Sequence, residues 1–169
     1  MQKPTPEEHA PYFSLYIDKV PDIDIIDALG MQIDSFSKLL TGITEEKSQH
    51  RYAPGKWSIK ELTVHILDTE RIMAYRALCI SRNEKNSLPG YDHDEYVREI
   101  DYSKITMKGL LEEFIVLRKS NILMLKNFTE EMCSRKGLAN QKPITVRALA
   151  YVIYGHAQHH LNILKEKYL

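Results

Sequence analysis

The sequence lacks most of the features that mark a specialised protein. It holds two cysteines, Cys79 and Cys133, in 169 residues. Two are too few for a disulfide framework, and a reducing cytoplasm is the expected location. There is no excess of charge: Lys and Arg number 23, and Asp and Glu number 23. A nucleic-acid binder normally carries a basic surplus or stripe, so that class of partner is set aside. No apolar run approaches the roughly 20 residues that span a bilayer. The opening Met1–Phe13 segment has no apolar core of the signal-peptide kind, so no membrane partner is expected. There are no internal repeats, low-complexity tracts or phosphate-cradling glycine loops. What remains is an ordinary globular composition, 43% hydrophobic and 27% charged, which suits one domain over residues 1–169.

Four long stretches carry a helical period. In the first, Ile26, Leu29, Ile33, Phe36 and Leu40 repeat at spacings of three and four, and Gly42 marks the stop. The second follows the turn Ala53-Pro-Gly-Lys-Trp57. There Ser58 and Glu61 form a capping box, and Trp57 with Leu62 a hydrophobic staple. Its inward stripe runs through Leu62, Ile66, Thr69, Met73, Ala77 and Ile80. The third runs from about Thr106 to Phe128, with Met107, Leu110, Phe114, Leu117, Leu125 and Phe128 as its apolar face. The fourth opens near Pro143, with Thr145 as N-cap and Ile144–Leu149 as staple, and continues almost to Leu169. No strand-like alternation is long enough to build a sheet. The predicted fold is therefore all-α: a four-helix bundle with a long crossover between helices two and three. Residues 1–20, rich in proline and aromatics, are read as an arm packed over it.

Three of the seven histidines crowd into Tyr154-Gly-His-Ala-Gln-His-His160. His156 and His160 are four apart, hence on one helical face. Their direction on the wheel matches Leu149, Ile153 and Ile163, so they interrupt a core stripe. His159 points to the edge of that stripe. His65 interrupts the buried side of helix two, between Leu62 and Ile66. Burying three such rings unpaired costs about 1–3 kcal/mol per unsatisfied group. A shared divalent metal satisfies all three, because neutral imidazole ligates zinc, nickel, copper and iron. Gly155 leaves room beside His156, either for a neighbouring helix or for a ligand. Two familiar metal motifs are absent. Ala157 stands where a zincin has its glutamate. Neither Leu62 nor Ile153 supplies the Glu-x-x-His of a di-iron bundle.

The stretch Tyr52–Ile72, then Leu88-Pro-Gly-Tyr-Asp92, then Tyr154–Leu164 resembles the DinB superfamily, and within it the YfiT-like metal-dependent hydrolases. The opening Tyr12–Leu29 is similar to members of that group as well, so the resemblance covers nearly the whole chain. It implies a four-helix bundle, often dimeric, whose metal is held by His65 of helix two and by His156 and His160 of the last helix. It also implies an enzyme acting on a small molecule, by hydrolysis or by S-transfer, the addition of a low-molecular-weight thiol cosubstrate to an electrophile. The expected cofactor is a divalent ion, zinc or nickel, and the expected assembly a homodimer. The alternative is a non-catalytic metal-binding or stress-response bundle.

Helpers are less distinct. Asp68 and Glu70 follow His65 and are placed to anchor a ligand ring or hold Arg71, while Asp92 and His93 lie on the crossover that roofs the site. For each, a solvated or capping charge is the plainer expectation. Tyr75 and Tyr154 are candidate pocket walls, and the lone His9 and His50 are read as surface residues.

Overall fold

The computed structural model describes residues 1–169. Four long helices dominate: α2 (Ile25–Thr41), α4 (Ile59–Ser81), α6 (Met107–Lys126) and α8 (Val146–Ile163). Short helices α1 (Ser14–Ile17), α3 (Glu45–Ser48), α5 (His93–Arg98) and α7 (Glu130–Ser134) punctuate the connections. Each long helix starts on a side-chain cap, and for α4 and α8 it is the one the sequence nominates. Asp24 accepts a bond from Ile26 N, Thr106 from Gly109 N, and Thr145 from Ala148 N. Ser58 and Glu61 close the capping box that opens α4. These side chains satisfy amide donors that no helical carbonyl reaches.

In the bundle, α4 packs on α8 and α2 on α6, with α2–α8 and α4–α6 contacts completing the ring. The arm is ordered: α1 lies along α8. At Gly155 an added Cβ would stand 2.0 Å from the carbonyl oxygen of Tyr16, so glycine is there to admit the arm's backbone. Arg147 Nε bonds Glu8 Oε1 at 2.7 Å and pins the arm further up. His9, expected at the surface, is a buried residue of this arm, with Nδ1 3.0 Å from Ala10 O. At the other end the chain closes with a π-helical turn over Leu164–Tyr168, and Tyr168 OH donates to Trp57 O.

A second correction concerns strands. Residues Lys136–Ala139 (β1) and Lys142–Thr145 (β2) form an antiparallel hairpin, with Lys136 opposite Thr145 and Ala139 opposite Lys142. Its two-residue turn holds Asn140 at φ 49° and Gln141 at φ 60°. Both positive values match the right-handed twist that favours such turns. The crossover then joins it: Leu88 N donates to Leu138 O, and Asn140 N to Leu88 O. The hairpin and the Leu88–Tyr91 segment together wall one side of the bundle.

The core comes in two parts. One cluster gathers the start of α2, the end of α4 and the start of α8; the other gathers the end of α2, the start of α4 and the end of α8. Between them lies a layer of buried polar side chains: Gln32, Thr69, Glu70, Arg118, Asn121 and His156. That layer has a closed half and an open half.

Candidate metal centre

The closed half is built on Arg118, which is fully buried. Its Nε and Nη2 each donate to Glu70 at 2.8 Å, a two-pronged match to one carboxylate. Its Nη1 donates to Gln32 Oε1 at 2.7 Å, and Asn121 Nδ2 to Glu70 Oε1 at 3.1 Å. Glu70 is therefore neither a solvated charge nor a helper of His65. Five residues on from His65, it faces α6 instead.

The open half gathers the histidines. His65 Nε2 lies 3.0 Å from His156 Nε2, and His160 Nε2 lies 3.1 Å from the same atom. The ring centroids of His65 stand 4.8 Å from His156 and 5.0 Å from His160. The two nitrogens of a pair bound to one tetrahedral zinc at about 2.0–2.1 Å sit roughly 3.3 Å apart, close to these separations. Hydrogen bonding alone does not use the cluster up: Nδ1 of His160 is buried without a partner. His65 and His156 are buried and His160 partly so. Burial first, and then the neighbouring histidines, pull these rings toward the neutral form. His65 falls to about 4 and His160 to about 2, and His156 lies well below its usual value. Neutral imidazole is the form that ligates metal, so the donor set fits a divalent ion of the zinc or nickel kind.

The cluster opens into a cavity of about 390 Å³. Trp57 lies against His65 with centroids 4.7 Å apart, and Tyr16 of the arm against His156 at 5.4 Å. Thr69, one turn beyond His65, shares a 2.7 Å hydrogen bond with Tyr91 of the crossover. His93 stands at the mouth, 5.6 Å from His65 and mostly exposed. None of the 18 lining residues is Asp or Glu.

The other candidates fall elsewhere. Asp68 faces Arg71, 3.5 Å away, and burial raises its pKa. Asp92 caps α5 by accepting from Asp94 N and Glu95 N. His159 is half-buried beside Tyr16, outside the converging trio. Neither Tyr75 nor Tyr154 lines the cavity; Tyr16 and Tyr91 do. Sequence reasoning missed Arg76, a buried charge in the cavity wall. Its one signal is register: eleven residues after His65, it returns to nearly the same face of α4.

Comparison with known proteins agrees with this architecture. The profile of the DinB superfamily matches residues 28–164. Among solved structures, the chain is similar to YfiT from Bacillus subtilis, described as a probable metal-dependent hydrolase with an unusual four-helix bundle topology. The TM-score is 0.73 at 18% identity, over 84% of this chain and 82% of that one. A DinB-like protein of Bacillus subtilis, YjoA, aligns with a TM-score of 0.60 at 19% identity, over 85% of this chain and 88% of that one. At such identities the likeness is one of fold. No curated protein matches the sequence.

Proposed function

The chain belongs to the DinB superfamily, and from that premise we propose a metal-dependent enzyme that hydrolyses a small molecule, its ion held by His65, His156 and His160. What supports this reading is one arrangement: three neutral Nε2 atoms from two helices meet in the wall of a cavity large enough for a small substrate. When bound, a divalent ion supplies Lewis acidity there, bringing the pKa of a water toward about 7 or stabilising a thiolate. The chain's own groups do the rest. Trp57 and Tyr16 press on the ligand rings, fix their orientation and keep water from their outer faces. The Thr69–Tyr91 pair offers hydroxyls beside the histidines for substrate positioning.

A second reading, S-transfer of a low-molecular-weight thiol onto an electrophilic substrate, draws on the same cavity. With no carboxylate in its lining, it has no general base of the usual metallohydrolase kind. A thiol held near a cation loses its proton more readily than water does. Cys79 and Cys133 do not line the cavity, so such a thiol would arrive from solution. Exposed Val116 and Leu123 on α6 offer apolar surface for the homodimer that goes with either reading.

The test is titration of chelator-stripped protein with zinc and with nickel, read by calorimetry and elemental analysis. We expect one ion per chain and a higher melting temperature when loaded. His160→Ala should weaken binding by more than the roughly 10–100-fold of an outer-shell change. Absence of stoichiometric binding of either ion overturns the proposal.

A further inference from the structure

One charge in the cavity is left over. Arg76 is 5% exposed and lines the same space as the three histidines. Eleven residues after His65, it leaves α4 within about 20° of the same direction and roughly 16 Å further along the axis. Helical side chains lean toward the N-terminus, so Arg76 leans back toward the histidines. Its Nη1 accordingly lies 3.6 Å from the sulfur of Met73, and its Nη2 donates to Pro89 O at 2.7 Å. Neither partner is charged. Arg76 forms no ion pair, and no Asp or Glu lines the cavity. Burial pulls its pKa down, with Tyr91 alone acting the other way. Arginine is almost never fully buried without a counter-charge. The other deeply buried arginine of this chain, Arg118, has its counter-charge in Glu70.

We infer that the missing counter-charge is the substrate's: the cavity takes a small organic carboxylate whose anionic end docks on the Arg76 guanidinium while its reacting end lies at the three histidines. A guanidinium matches a carboxylate with two parallel donors. Between the two ends the wall is apolar, with Met73, Val152 and Ala139, which suits a hydrocarbon stem. A single buried cation with no glycine nest around it fits a singly charged carboxylate better than a doubly charged phosphate. Lys142, on the hairpin at the rim, adds attraction for an entering anion. The placing of the reacting end rests on the proposed metal site; the anion site rests on Arg76 itself.

Calorimetry with paired probes tests this. Zinc-loaded protein is titrated with 6-mercaptohexanoate and with 6-mercaptohexanol, and chelator-stripped protein with hexanoate and with hexanol. Wild type should prefer each acid to its alcohol by about tenfold or more. In Arg76→Met the preference should shrink to within about twofold, with zinc stoichiometry unchanged. Arg76→Lys, which keeps the charge but loses the fork, should retain part of it and serves if the methionine variant folds poorly. Equal affinity of wild type for acid and alcohol, or a preference that survives Arg76→Met, overturns the inference. If zinc does not bind at all, the metal reading fails and the hexanoate–hexanol pair still decides this one.

Discussion

Arg118 and Arg76 are both buried in the same bundle, and they live in opposite circumstances. Arg118 has a carboxylate on two prongs, a glutamine on a third donor and the Phe114 ring 4.9 Å beneath it. Arg76 has one carbonyl and one sulfur. The histidines that share the cavity with Arg76 repeat the pattern: three nitrogens aimed at one another, and an Nδ1 with nothing to bond. The closed network spends its polar groups on one another and fixes how α2, α4 and α6 meet. The open one leaves one ring nitrogen without a partner and one guanidinium without a counter-charge around the cavity. Buried polar groups in folded proteins are normally paired, so the unpaired set marks where the molecule waits for something from outside.

That contrast breaks most sharply by mutation. Glu70→Leu strands a fully buried guanidinium, and unfolding in urea should show a loss of about 3–5 kcal/mol. Adding Arg118→Met removes the stranded charge and should recover most of it. Arg76→Met, in ligand-free protein, should leave stability unchanged to within about 1 kcal/mol, because one carbonyl bond is lost along with an uncompensated charge. If Arg76→Met proves as damaging as Glu70→Leu, the two arginines are both structural and the contrast disappears.

A smaller effect separates the halves by their walls. Gly155→Ala drives a methyl group into the backbone of Tyr16, which faces the cavity and not the Arg118 network. Overpacking of this kind costs about 1–3 kcal/mol. The arm should yield before the bundle does. Hydrogen exchange should quicken over residues 1–20 and stay slow in α2 and α6; quickening in α6 as well would mean that the halves are coupled.

Much of this was legible in the sequence, for physical reasons. The long helices carry strong periods, and two of them carry local caps, Ser58 with Glu61 and Thr145, which act within one turn and need no tertiary knowledge. His65, His156 and His160 share a direction with apolar neighbours, which is enough to bring them inward. What stayed hidden depends on contacts between distant segments. The hairpin turns on Asn140-Gln141, without the glycine that usually announces such a turn. Glu70 looked solvated because its partner lies on α6, and His9 because the arm's path over α8 has no local signal. Arg76 and Arg118 escaped because a basic residue in a helical pattern is assigned to the wet face. Gly155 allowed two explanations in the sequence; Tyr16 at its Cα decides for the packed arm.

The slightest effect is also the one that tests whether the arm is a fixture or a cover. Its anchor is Glu8, 8% exposed and bonded to Arg147 Nε. Burial works against the carboxylate's charge, but the bonds from Arg147 and from Thr5 N outweigh it, and the pKa sits below its ordinary 4.5. A depressed carboxyl pKa means that the folded state binds fewer protons than the unfolded one. The anchor's contribution is therefore fully present above about pH 4.5 and is lost as pH falls through the lower, folded value. Exchange protection of residues 1–20, corrected for the intrinsic rate, should hold level from pH 7 to 5 and drop below 4.5. Glu8→Gln should start lower and stay level. Helix α6, which the arm does not cover, serves as the internal reference for opening of the whole bundle. Arm protection that falls only in step with α6 would show that the cover opens with the whole bundle and not by itself.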